Sequence, residues 1–255
     1  GLVVAAQRRT RALQDLIETT QADGMVTGIG SVNGDRFDAR KARTAVLAYD
    51  YTVFAGTQSY MNHRKSDRLL ELAHAQRLPV VFFAEGGGGR PGVSDHLTAA
   101  GLSTMTFVRM AQLNGLVPLV GIVSGRCFAG NAAILGSCDV VIATRNANIG
   151  LGGPAMIEGG GLGVYRPEEI GPVEVQSPNG VIDVLVDDEA QAHPGALGQR
   201  LERDRQLRAR GDQHLRLAVV DDVGQFVGGE MRVDARVVQP RPLPRPARLE
   251  VPGVV

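Results

Sequence analysis

Leu119-Val120-Gly121-Ile122-Val123-Ser124-Gly125-Arg126-Cys127-Phe128-Ala129-Gly130-Asn131-Ala132 is the stretch that decides the fold. An apolar run of strand length, residues 116–123, ends in a glycine turn. The turn leads directly into small residues, 129–137, that read as a helix. The same order occurs once before. Residues 80–84 are a short apolar run of buried-strand type, followed by Glu85, the four glycines Gly86-Gly87-Gly88-Gly89, and Arg90-Pro91-Gly92. Strand, glycine loop, helix, repeated along a chain, is the pattern of an α/β protein. In open sheets of this kind ligands sit beyond the carboxyl ends of the strands, where both loops fall.

Working outward, residues 8–18 predict an amphipathic helix with Leu13, Leu16 and Ile17 on one face. Residues 24–32 alternate like a strand, and Asn33-Gly34 is a hairpin turn signal leading to a partner strand at 44–53. Residues 62–77 predict a helix with Leu69, Leu70, Leu72 and Ala73 as its apolar face. A further helix is expected over 103–114, ended by Gly115. Strands are expected at 140–143 and 181–186.

The 255 residues carry 27 basic and 27 acidic side chains. Zero formal charge argues against a nucleic-acid binder held by bulk charge. Cys127 and Cys138 are too few for a four-cysteine zinc site or a disulfide scaffold, and both read as small buried hydrophobes. No apolar run approaches the ~20 residues of a membrane span. A cytoplasmic protein with no bound metal is the expectation. Glycine is the outlier, 33 of 255 residues, about twice the usual ~7%.

Glycine lets backbone N–H groups approach a ligand closely. In the second loop these groups also gain the positive end of a helix dipole. Two N–H groups aimed at one point form an oxyanion hole. Other glycine chemistries fail: neither loop has the Gly-Lys-Ser/Thr of a phosphate loop. Gly28-Ile29-Gly30 opens a hairpin rather than a helix, and Ser124 lacks the context of a nucleophile elbow.

Several linked motifs then resemble one family. Gly125-x-x-x-Ala129-Gly130-Asn131, Cys138-Asp139-x-x-Ile142-Ala143 and Ala147-x-Ile149-Gly150 resemble the crotonase superfamily. Residues 26–34, 49–56, 79–90 and 153–161 are similar to the carboxyltransferase (beta) subunit of biotin-dependent acyl-CoA carboxylases, in its N-terminal half. The resemblance implies a crotonase-like spiral of β-β-α units over residues 22–192, preceded by an N-terminal helix at 1–21. It implies an acyl-CoA substrate whose thioester oxygen is held by backbone donors. Carried over by position, these are Gly130, flanked by Ala129, and Gly88 and Gly89. Arg90, Gly87, Phe128, Arg64 and Lys65 are the implied contacts to acyl-CoA, with a solvated helix face as the alternative for Arg64 and Lys65. The basic cluster Arg36, Arg40, Lys41 and Arg43 carries the same two readings.

The resemblance further implies no tightly bound cofactor. Carboxybiotin would arrive on a carrier protein. Implied partners are the biotin carboxyl carrier and biotin carboxylase components, a second carboxyltransferase half, and further copies in a homo-oligomer. Enoyl-CoA hydratases resemble the same stretch but place glutamates where this chain has Ala133 and about Gly153, so hydration loses its acid and base. A non-catalytic fragment or assembly subunit is the third reading, and Gly1 in place of Met fits a fragment.

Residues 194–255 differ from the rest. They hold 11 Arg, no Lys, 8 acids and one aromatic, Phe226, and end in an Arg/Pro-rich run from 239 to 253. Residues 193–255 are therefore expected to be a divergent, poorly ordered extension, either frameshifted or a disordered linker.

Overall fold

The computed structural model describes residues 3–35, 37–92, 95 and 104–192, and the backbone of 231–232. The rest of the expected extension, Arg36, and the start of the helix expected at 103 lie outside the described residues.

A seven-stranded sheet has the order β8-β6-β4-β3-β2-β1-β9. Its members are β1 (Met25–Val32), β2 (Arg43–Tyr49), β3 (Val80–Phe83), β4 (Leu119–Val123), β6 (Val140–Thr144), β8 (Val184–Val186) and β9 (Met231–Arg232). β1 runs antiparallel to β2, while β2, β3, β4, β6 and β8 are mutually parallel. The register sets Ala45 beside Val80, Val80 beside Leu119, and Val120 beside Val140. β9, inside the expected extension, pairs antiparallel with the end of β1 at Ser31 and Val32.

The central strands are apolar throughout because both faces are covered, which is the rule for parallel sheets. One face packs on helices α2 (Tyr60–Gln76) and α3 (Thr106–Leu113). There Leu69, Leu70, Met110 and Leu113 join Leu47, Val80, Phe82 and Leu119 in one core. The opposite face gathers Val81, Val120, Ile122, Val140, Ile142, Val184 and Val186. Complete burial of such a side chain is worth about 1.5–3 kcal/mol, so these two clusters dominate the stability of the fold.

The expected β-β-α spiral is present. β4 is followed by the short strand β5 (Arg126–Phe128) and helix α4 (Gly130–Leu135). β6 is followed by β7 (Asn148–Gly150) and α5 (Pro154–Gly159). β5 and β7 pair in parallel as a second, two-stranded sheet. Sequence reading took residues 125–128 only as loop, because three residues are too short to show a period. Two further helices, α1 (Leu13–Thr19) and α6 (Val173–Gln176), complete the described elements used below.

Three expectations are corrected. The helix expected over 8–18, in the segment 1–21, is α1 at Leu13–Thr19, and residues 8–11 turn instead, with Thr10 and Arg11 N–H both donating to Gln7 O. Asn33 takes the positive φ of a turn residue, 56°, but the chain does not close there. Residues 33–42 form the connection, held by Phe37 N–H to Asn33 O and by Asp38, whose carboxylate accepts from Arg40 and Lys41 N–H. The second strand stops at Tyr49 rather than 53, because the Asp50 carboxylate accepts from Thr52 N–H and folds the chain into a turn.

Helix α4 packs tightly on β4 through Gly121. A methyl group there would stand 2.5 Å from Leu135 Cδ1 and 3.2 Å from Cys138 Sγ. Gly121→Ala is expected to cost about 1–3 kcal/mol through overpacking, read as a lower urea midpoint with an unchanged slope.

Candidate active site

β3 and β4 are neighbours, so the two glycine loops leave the same edge of the sheet side by side. They are laced together at once. Gly86 N–H donates to Arg126 O at 2.8 Å, and Phe128 N–H donates to Gly86 O at 2.8 Å. The Asn131 side chain, fully buried in the first turn of α4, spans the gap. Its Oδ1 accepts from Gly88 N–H at 3.0 Å, and its Nδ2 donates to Gly56 O at 3.2 Å and Ala84 O at 3.4 Å. The approach leaves no room for side chains. A Cβ on Gly86 would fall 2.1 Å from Asn131 Nδ2, and one on Gly88 would fall 2.5 Å from Ala129 Cβ.

Hydrogen bonding sorts the expected donors. Gly87 N–H donates to Ala55 O, Gly88 N–H to Asn131, and Ala129 N–H to Gly150 O. Among the described residues, no group accepts from the N–H of Gly89 or Gly130. The two loops meet next to these residues: the Cβ position of Gly88 is 3.5 Å from Gly130 N. Ala129 serves by conformation. It holds φ 51°, ψ −120°, a region that costs a non-glycine residue about 1–3 kcal/mol. That ψ sets the direction of the next peptide, the one carrying Gly130 N–H. Its own N–H, bonded to Gly150 O, and its O, accepting from Ala133 N–H at 2.9 Å, hold the strain in place. Glu85, at the root of the first loop, is pushed above the usual carboxylate range by burial and accepts from Ser124 N–H.

Comparison with known proteins identifies the arrangement. A family described as carboxyl transferase domain matches residues 3–197. The chain belongs to the carboxyl transferase domain family. It is 31% identical over 172 residues to the biotin-dependent long chain acyl-coenzyme A carboxylase beta4 subunit of Mycobacterium tuberculosis, covering 67% of this chain and 31% of that protein. It is 28% identical over 179 residues to the mitochondrial methylcrotonoyl-CoA carboxylase beta chain of Dictyostelium discoideum, covering 69% and 29%. Among solved structures, a single-chain, multi-domain long-chain acyl-CoA carboxylase is 60% identical with a TM-score of 0.71, over 75% of this chain and 19% of that one. The geranyl-CoA carboxylase beta subunit of P. aeruginosa is 28% identical with a TM-score of 0.55, over 71% and 32%. The matched stretch thus spans about a third of the length of these two curated relatives.

Other expected carboxyltransferase contacts are placed differently by the structure. Arg90 does not face outward. It is 5% exposed and ion-paired to the fully buried Asp23. Its Nε donates to Thr57 Oγ1, one Nη donates to Thr57 O at 3.0 Å, and its guanidinium lies 4.6 Å over the Phe54 ring. Lys65 is half-buried and donates to the carbonyls of Ala22 and Met25, and burial lowers its pKa to about 8. Arg64 stays part-exposed over the Tyr60 ring. Phe128 is buried and packs under Gly150 and Gly153. Arg40, Lys41 and Arg43 line a groove of about 840 Å³ with Arg77 and Pro79. That groove lies at the amino ends of β2 and β3, opposite the glycine loops. His63 is turned inward to Thr106, which donates on to Asp67. Ala133 is exposed on α4 and Gly153 precedes α5, so neither hydratase position carries a carboxylate.

Sequence reading missed Asp23 and Gln58. Asp23 carries no local signal. It is a positive-φ residue whose carboxylate accepts from Arg90, from Ser59 Oγ and from Asn62 N–H in the first turn of α2. Removing it leaves Arg90 buried without its counter-charge. Asp23→Ala is expected to destabilise the chain by about 3–5 kcal/mol in urea unfolding. A loss under about 1 kcal/mol would mean the pair behaves as a solvent-screened one.

Proposed function

We propose that this chain is the acyl-CoA-binding N-terminal half of a carboxyltransferase component in a biotin-dependent carboxylase. The observation that carries the reading is that two interlocked loops each keep an N–H, Gly89 and Gly130, with no acceptor among the described residues. A thioester oxygen accepting from both would gain negative charge as the α-carbon passes its proton to the ureido nitrogen that carboxybiotin frees on releasing its carboxyl group, and the enolate would be held by fixed backbone dipoles. Carboxybiotin, brought on a carrier protein, is the second substrate and supplies the carboxyl group. The chain's own part is to orient the thioester and stabilise its oxygen. Its identity to proteins described as long-chain acyl-CoA carboxylases makes long-chain thioesters the first substrates to test.

Residues 22–192 act as the catalytic unit in this reading, and helix α1 lies in the segment before it. The carboxyltransferase second half is a required partner, as are the biotin carboxyl carrier and biotin carboxylase components. An apolar surface supports this: Leu151 (73% exposed), Met156, Leu162 and Val164 (79% exposed) surround α5, which buries none of its residues. Exposed apolar area of this kind marks an association surface.

The test is reconstitution. The chain is mixed with a biotinylated carrier and a separately made second half, and carboxyl transfer to propionyl- and palmitoyl-coenzyme A is followed. Transfer is expected, and slower for Gly130→Ala, whose Cβ would stand 2.3 Å from Gln58 Oε1 and push the Gly130 N–H out of place. Thioester binding without transfer would favour a non-catalytic assembly subunit. No binding at millimolar thioester would contradict the reading.

A further inference from the structure

Gln58 touches both halves of the proposed oxyanion site. It follows the turn at residues 54–56 and lies in extended backbone before α2. Its main chain pairs with the first glycine loop: Gln58 N–H donates to Gly88 O at 2.6 Å, and Arg90 N–H donates to Gln58 O at 2.8 Å. This bridge centres on Gly89. In such a bridge the paired residue's own N–H points away from the pairing strand, so Gln58 aims the Gly89 N–H outward from itself. Its side chain reaches the second loop. The amide lies flat against Gly130, with Oε1 only 2.3 Å and Cδ 2.9 Å from where a Gly130 Cβ would be.

The side chain is held between the second loop and the core. Gln58 is 7% exposed, and its buried amide faces the buried Tyr49 hydroxyl, which has no other partner among the described residues. The amide is thus wedged between Tyr49 and Gly130, where a leucine would fill similar space without a polar tie to Tyr49.

We propose that Gln58 is the positioning residue of the oxyanion site: through its backbone it fixes Gly89 N–H, and through its amide it fixes the separation and tilt of Gly130 N–H. This rests on the carboxyltransferase reading above. Replacing the amide therefore alters the polarisation of a bound thioester with little effect on the fold.

The experiment is infrared difference spectroscopy of carbonyl-labelled propionyl-coenzyme A bound to the full chain, with thermal unfolding alongside. In the unsubstituted chain the bound carbonyl stretch is expected below its value in water. Gln58→Leu is expected to bind with affinity within about twofold, to unfold within about 4 °C of the unsubstituted chain, and to lose most of the carbonyl shift. Gln58→Glu places a carboxylate against Gly130, where it competes for that N–H, and is expected to abolish the shift. A full shift in both variants would overturn the positioning role while leaving the acyl-CoA reading intact. A marked fall in unfolding temperature for Gln58→Leu would make Gln58 a structural residue and also overturn it. No carbonyl shift in the unsubstituted chain would overturn the acyl-CoA reading and the inference with it.

Discussion

The buried amide of Asn131 is the contact on which the rest of the site depends. One side chain accepts from Gly88 N–H and donates to the carbonyls of Gly56 and Ala84. It therefore ties the turn before α2, the end of β3 and the start of α4 into one unit. A buried amide with three backbone partners is fully committed, and removing it would strand three polar groups at once. The tie also explains the glycines. Loops drawn this close cannot carry Cβ atoms at Gly86 or Gly88. The same bond spends the Gly88 N–H, which leaves Gly89 as the outward-facing donor of the first loop.

Much of this was legible in the sequence, for physical reasons that differ by element. β3, β4 and β6 were readable because parallel strands buried on both faces are apolar without interruption. α2 was readable because seventeen residues allow a helical period to show. The two glycine loops were readable because strand-end glycines before a helix have few other uses. β5 and β7 were not, since three-residue strands carry no pattern. The direction of Arg90 was also illegible. An arginine after four glycines reads as a ligand contact, and nothing local reveals the buried Asp23, 67 positions earlier, that receives it.

The site differs from acid–base enzymes in how its chemistry is stored. Where a hydratase would place carboxylates, the chain has Ala133 and Gly153. What remains is backbone geometry: a strained Ala129, two loops locked by Asn131, and two N–H groups with no acceptor among the described residues. Burial in this region shifts titration rather than creating a base. Glu85 is raised and committed to Ser124 N–H, and the Cys127 thiol is raised well above its usual range. In the proposed reading such a site stabilises a developing oxyanion and leaves carboxyl delivery to another component.

The most direct test of the account is the amide-proton spectrum of Gly88, Gly89 and Gly130 during titration with propionyl-coenzyme A. The account predicts that the Gly89 and Gly130 resonances move downfield together with one saturation curve, while Gly88, held by Asn131, stays in place. Saturable binding with Gly89 and Gly130 unmoved, or with Gly88 moving in their stead, would contradict it.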